Sequence, residues 1–173
     1  MKIHAFLLPF LFTAAFFPAG CRPGERADLP GTLQVSCTTE REAIGGEPGR
    51  PFSPAVRVTR TCTRDGVEEI MGETLYVSGQ VGTDPESGER VSGGIKAETV
   101  QVLENLQRVV ESAGFSLSDA VRCTVYLVDM GDYDAMNEAY LEFFPESPPS
   151  RACVGVRELV RDFQVEISLV AEK

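Results

Sequence analysis

Histidine is nearly missing from this chain: one residue, His4, stands among 173. It lies in an apolar N-terminal stretch that reads as a removable leader, so the mature chain would hold none. That excludes a Ser-His-Asp or Cys-His relay, a histidine metal site and any imidazole general base. Basic residues are also scarce, 16 against 26 acidic for a formal net charge of −10, so a nucleic-acid backbone would be repelled. Cys21, Cys37, Cys62, Cys123 and Cys153 lack the C-x-x-C spacing that signals zinc. The sequence has no glycine-rich phosphate loop and no Rossmann or Walker motif.

What is present begins with MKIHAFLLPFLFTAAFFPAGC, one lysine and a long apolar stretch broken by Pro9, then Ala19 and Gly20 directly before Cys21. Residues 1–20 read as an export signal, and residues 21–32, with glycine, proline and charge but no periodicity, as a tether. A small pair before cysteine resembles a bacterial lipoprotein cleavage site with Cys21 as the lipidated residue, although Pro18 stands where an aliphatic residue is usual. An ordinary secretory signal and an uncleaved anchor are the alternatives. The expectation is an exported protein, periplasmic or anchored as a lipoprotein, that meets a membrane only through its N-terminal lipid. An oxidising compartment permits disulfides. Cys37 with Cys62 is the favoured pair, both lying in the N-terminal part outside the core pattern; four independent small hydrophobes are the alternative.

The apolar share of 43% supports one core, and the length suits one domain over residues 33–173. LQVSC reads as a short strand, EAIGGEPGRPFSP as loop, AVRVTRTC as a strand, Asp65-Gly66 as a hairpin turn and TLYVSGQVG as the next strand. From Ile95 the period becomes helical: Val102, Leu103, Leu106, Val109, Val110 and Ala113 share a stripe, while Glu98, Gln101, Glu104, Asn105, Arg108 and Glu111 face away, and Gly114 ends the helix. AVRCTVYLV is a strand with Val121, Cys123, Val125 and Leu127 on one face. GDYDAMNEAYLEFF is a second helix, striped by Tyr133, Met136, Tyr140 and Phe143 and stopped by Pro145. RACVGVR and FQVEISLV close the chain as strands. This order predicts an α+β fold, a sheet with both helices packed on one face. Phe163, Val165, Ile167 and Leu169 would meet the helices. Gln164, Glu166, Ser168 and Val170 would join Arg122, Thr124, Tyr126 and Val128 on a mixed second face, suited to a partner copy in a symmetric homo-oligomer.

The blocks YVSGQVGTDPESGE, LENLQRVVESAG, VRCTVYLVDMGDYDAMNEAYLEFF, SRACVGV and VEISLVA, in that order and spacing, resemble the RidA (YjgF-like) family over about residues 33–173. The resemblance implies a chorismate-mutase-like α+β fold, a homotrimer and three ligand clefts between subunits. It also implies hydrolytic deamination of reactive enamines and imines such as 2-aminoacrylate to a 2-keto acid and ammonia, with no metal or organic cofactor. By the same resemblance Arg151 holds the substrate carboxylate, Cys153 lines the pocket, Glu166 orients the attacking water, and Asn137 and Ser78-Gly79 are further pocket positions. Phe52 departs from the family's usual tyrosine, so one hydroxyl is missing, and Pro54 replaces a glutamine. Two extra stretches, about Gly46 to Arg50 and Thr59 to Ile70, lengthen segments near the expected pocket.

The residue types suit that chemistry. An arginine fork donates two parallel bonds to a carboxylate, and a carboxylate within hydrogen-bond reach of an imine carbon can orient water and pass a proton to departing ammonia. Each residue also has a plainer reading: Arg151 as half of an ion pair, Glu166 as a solvated strand glutamate, Cys153 as a packed thiol with no histidine to activate it, and Asn137 as a helix-cap or interface bond. The competing function is a non-catalytic exported trimer that binds small carboxylates, or a holdase-like surface protein. It arises because pyridoxal-dependent dehydratases, the usual sources of such imines, are cytoplasmic.

Overall fold

The computed structural model describes residues 34–46 and 48–173; the leader over residues 1–20 and the whole tether over residues 21–32, Cys21 included, fall outside the described residues. The elements are β1 (Val35–Ile44), β2 (Ala55–Arg64), β3 (Val67–Val81), α1 (Gly94–Ser112), β4 (Ala120–Leu127), α2 (Tyr133–Phe143), β5 (Ser150–Gly155) and β6 (Val165–Glu172). They form one six-stranded sheet in the order β1-β2-β3-β6-β4-β5. Every neighbouring pair is antiparallel except β4 and β5, which are parallel and joined through α2.

Alternation and helical period place the core. Cys123, Val125 and Leu127 of β4 and Val165, Ile167 and Leu169 of β6 are buried together with Val102, Leu103, Leu106 and Val110 of α1 and Met136 and Tyr140 of α2. Both helices therefore cover one face of the sheet, as the pattern predicts. Gly114 ends α1 at φ +77, with its N–H donating to the Glu111 carbonyl and the Phe115 N–H to the Val110 carbonyl, each at 2.9 Å. This is a Schellman cap closed by Phe115 and Val110, both in the core.

Three expectations need correction. First, β1 runs ten residues and not five, taking in Glu42 and Ile44 that the loop reading claimed. Its long pairing with β2 is stabilised by ion pairing of Arg57 with Glu42 and by a Cys37–Cys62 disulfide at directly opposed positions. Second, Val121 is exposed, because the register slips between Ala120 and Arg122 and a bulge turns it off the core face. Third, Glu98 does not face solvent. It is 1% exposed, and its Oε1 accepts from the backbone N–H of Gln164 at 2.7 Å and of Val165 at 3.3 Å. The start of β6 lies against α1, and this carboxylate satisfies donors there that would otherwise be buried unpaired.

The Asp65-Gly66 turn forms as expected, with φ of +52 and +80 joining β2 to β3 in a two-residue hairpin. The second extra stretch, Thr59 to Ile70, makes the outer part of that hairpin.

Candidate active site

Arg151 lies on β5 opposite Cys123, whose side chain is in the core, so the arginine emerges on the helix-covered face at the open edge of the sheet. There α2 receives it. Its Nη2 donates to Asn137 Oδ1 at 2.6 Å and to the Tyr133 hydroxyl at 3.4 Å. Its guanidinium carbon stands 4.6 Å from the centre of the Tyr140 ring and 5.9 Å from that of Tyr133. Aromatic faces and one amide thus fix the plane of the fork. Among the described residues no carboxylate pairs with Arg151 and no acceptor meets its Nε or Nη1. A cleft of about 400 Å³ opens beside it, lined by Asn137, Tyr140, Leu141, Pro148, Pro149 and Arg151. A cation oriented by protein yet left with spare donors over a cleft is arranged to take a small anion.

Cys153, two residues on, packs against the core. Burial pushes its thiol above the ordinary value, and the Arg151 charge opposes this only in part. At neutral pH it is protonated, and it is not among the residues that line the cleft beside Arg151. Tyr140 is buried beside the Cys123 thiol, and desolvation raises both groups, so both stay neutral.

A second group of site residues gathers at the far end of β3. The β3–β6 register shifts between Val77 and Gln80, making a bulge of Ser78-Gly79. Ser78 spends both its donors on the preceding loop, N–H to the Pro54 carbonyl at 2.9 Å and hydroxyl to the Ser53 carbonyl at 2.7 Å. Its place is therefore to pin the loop that carries Phe52, and its N–H is not free for a ligand. Gly79 serves Glu166 directly: a Cβ there would lie 2.0 Å from Glu166 Oε1. The carboxylate rests on the glycine backbone, half-buried, and meets no hydrogen-bond donor among the described residues. Desolvation raises its pKa. Phe52 stays 60% exposed and joins Gly79 in lining a second cleft of about 400 Å³.

The two groups do not meet within a protomer. Residues opposed across a ladder share a face; Arg151 is level with Cys123 and Leu169 on the helix face, whereas Glu166 is level with Tyr126 on the other. Within one protomer this register keeps Arg151 and Glu166 on opposite faces of the sheet. Sequence reasoning also missed the Tyr133 and Tyr140 rings as the cradle of Arg151. Their i, i+7 spacing with Asn137 between them was the available signal, but it reads first as a core stripe. Among the described residues no group of three His, Cys, Asp or Glu side chains is placed to hold a metal ion.

A mixed sheet backed by two helices, with an oriented arginine at one edge and a carboxylate on a bulge glycine, defines a domain of the Rid type. The chain belongs to that family: the family model described as Endoribonuclease L-PSP matches residues 50–173. A RutC family protein of Pyrococcus horikoshii is 48% identical over 102 residues, covering 59% of this chain and 81% of the relative. The 2-iminobutanoate/2-iminopropanoate deaminase of Mus musculus is 39% identical over 137 residues, covering 79% of this chain and 88% of the relative. Among solved structures, RidA from an Antarctic Psychrobacter matches with a TM-score of 0.60 at 33% identity, over 75% of this chain and 98% of that one.

Proposed function

We propose that this protein hydrolyses small 2-imino acids and their enamines to 2-keto acids and ammonia, at clefts completed between the protomers of a homotrimer. The observation that carries the reading is Arg151, held by Asn137 and Tyr140 with donors to spare. The name of the mouse relative supports the reaction class. The open face of the sheet supports the assembly: it exposes Tyr76 and Val154, and it carries Glu166, so a copy docked there can bring its own Arg151 edge to the carboxylate.

In this reading the substrate carboxylate sits on Arg151 of one protomer, and water on Glu166 of the next adds to the imine carbon. The carboxylate takes the water's proton as the C–O bond forms and the C=N pair moves to nitrogen. It returns that proton to the nitrogen to give the carbinolamine, then takes the remaining hydroxyl proton as the C=O bond forms and passes it to the nitrogen as the C–N bond breaks, releasing ammonia and the keto acid. The raised pKa of Glu166 brings it closer to working pH, which suits both transfers. RNA cleavage, which the family description names, has the net charge of −10 against it, as well as the lack of histidine among the described residues.

The test generates 2-aminoacrylate enzymatically and follows keto-acid formation. Arg151→Ala and Glu166→Gln should each lower kcat/KM by about 10²-fold or more. Trimers assembled from an equal mixture of the two inactive variants should recover about a quarter of wild-type activity, because a mixed ring contains one interface with both native residues. A mixture that forms trimers yet stays as inactive as its parents would refute the shared site. Wild-type protein that binds keto acids without turnover would favour the carboxylate-binding alternative.

Export as a lipoprotein through Cys21 belongs to the same proposal. The Cys37–Cys62 disulfide supports an oxidising compartment. Metabolic labelling with a fatty acid tests the anchor: label retained by Cys21→Ser would sink it.

A further inference from the structure

Glu166 keeps its place through backbone that other side chains hold. On β3 its opposed residue is Val81, whose carbonyl accepts from Asn105 Nδ2 at 2.9 Å. Gly79, the seat itself, is held by Gln80, whose Nε2 donates to the Gly79 carbonyl at 3.3 Å. On its own strand the approach is strained: Arg161 has φ +53 and Asp162 φ +57, two consecutive residues in a region that side chains rarely adopt. Such a turn persists only where its surroundings over-determine it.

Two side chains from distant parts of the chain do this. Glu98 of α1 accepts the Gln164 and Val165 N–H groups on Oε1, at 2.7 and 3.3 Å. Its Oε2 lies 4.0 Å from Arg90 Nε, and Arg90 Nη1 donates to the Asp162 carbonyl. Asp162, Gln164 and Val165 are thus gripped in turn, and the next residue is Glu166. Arg90 stands on a fixed base. Its backbone bridges Thr83, the Glu89 carbonyl beside it accepts from the Asp84 N–H at 2.8 Å, and the Val91 N–H donates to the Gly82 carbonyl at 3.0 Å. Gly82 lets α1 come this close, since a Cβ there would lie 2.3 Å from Glu98 Cγ. The Arg90 side chain is 45% exposed, so its ion pair adds little to stability. What its fork does add is a constraint on where β6 begins.

We propose that Arg90 is a positioning residue for the reaction: through Glu98 and the Asp162 carbonyl it fixes the entry to β6 and so keeps the Glu166 carboxylate on Gly79. This rests on the deaminase reading of Glu166. Arg90 touches neither substrate nor reacting atoms and acts only through the strand. A carboxylate that must orient water and exchange protons with it loses rate when it drifts by an ångström, so the supports of its backbone bear on turnover more than on folding.

The experiment uses the full chain and 2-aminoacrylate generated in situ, with semicarbazide as the competing trap. Arg90→Ala should lower kcat/KM about tenfold, and Arg90→Lys, which keeps the charge and a donor, should keep most of the rate. In a Glu166→Gln background the same Arg90→Ala change should alter activity by less than about twofold. An Arg90→Ala enzyme as active as wild type, or a loss that persists in full in that background, overturns the proposal. Glu166 is also read without turnover, from the carboxyl carbon shift of isotope-labelled glutamate as pH is varied. Burial holds the Glu166 carboxyl above its ordinary pKa, so a carboxylate released toward solvent in Arg90→Ala should titrate lower. Loss of a positive charge alone would move it the other way. A Glu166 midpoint that stays put or rises overturns the proposal. If wild type turns over no imine, the deaminase reading fails by itself, and this titration then decides whether Arg90 seats the carboxylate.

Discussion

Gly79→Ala isolates the role of Glu166 without touching the carboxylate. The added methyl would stand 2.0 Å from Glu166 Oε1, 2.7 Å from Cδ and 3.0 Å from Cγ. Ordinary contact needs about 3.4 Å or more, so Oε1 must retreat by roughly 1.4 Å or the bulge must open. Glu166 is only half-buried and can swing outward, so the cost in stability should fall near the lower end of overpacking, about 1 kcal/mol. The cost in activity should be larger, about 10²-fold in kcat/KM, because a reacting group misplaced by an ångström loses its attack geometry. A semicarbazide-competition assay on 2-aminoacrylate measures that loss, and thermal melting measures the fold. The decisive comparison is the double variant Gly79→Ala/Glu166→Gln. If glycine acts through the carboxylate, adding the methyl to Glu166→Gln changes activity by less than about threefold. Full additivity, or a Gly79→Ala enzyme as active as wild type, would refute the argument.

The remaining predictions concern the supports of the two half-sites. Glu98→Ala leaves the Gln164 and Val165 donors unpaired beneath α1 and should destabilise by about 2–4 kcal/mol in chemical denaturation, whereas Glu98→Gln, which keeps an acceptor, should cost less than half of that. Glu166 has a folded pKa above its unfolded value of 4.5, so its ionisation opposes folding at neutral pH and the penalty disappears as pH falls through the folded pKa. Glu166→Gln should therefore melt higher than wild type at about pH 7, with the gap closing toward about pH 4; a gap that widens on acidification would contradict the sign. Removing the Arg151 charge takes away what restrains the rise in the Cys153 pKa, so the pH midpoint for alkylation of Cys153, read by peptide mapping, should move upward in Arg151→Ala.

How much of this could be read from the amino-acid order follows from which contacts are local. The α1 stripe, the Gly114 stop, the Asp65-Gly66 hairpin and the inward run Val165, Ile167 and Leu169 all depend on residues within a turn or a strand of each other, and all were legible. Glu98 was misread because its helical position is the only thing the local pattern reports. What buries it is the entry to β6, far along the chain, whose two N–H donors need an acceptor. Val121 was misread because a bulge is a fault of register between strands, invisible along either strand alone. The long β1 was missed for a related reason: its exposed residues carry no apolar alternation, and it is held by pairing with β2 and the Cys37–Cys62 link.

The site itself shows where local reading stops. Arg151 and Glu166 were singled out correctly as charges in sheet segments, but strand parity decides their faces only once the ladder is known. β5 is parallel to β4 and β6 antiparallel to it, and the register places Arg151 level with buried Cys123 and Glu166 level with Tyr126. A shift of one residue in either pairing would have brought both side chains to the same face. The separation is therefore a built feature: each protomer offers a binding edge and a carboxylate face that its own fold keeps apart. In the proposed trimer a catalyst made from them would exist only where two copies meet, so dilution below the assembly threshold should abolish turnover while the Arg151 cradle and the Glu166 seat both persist in the monomer.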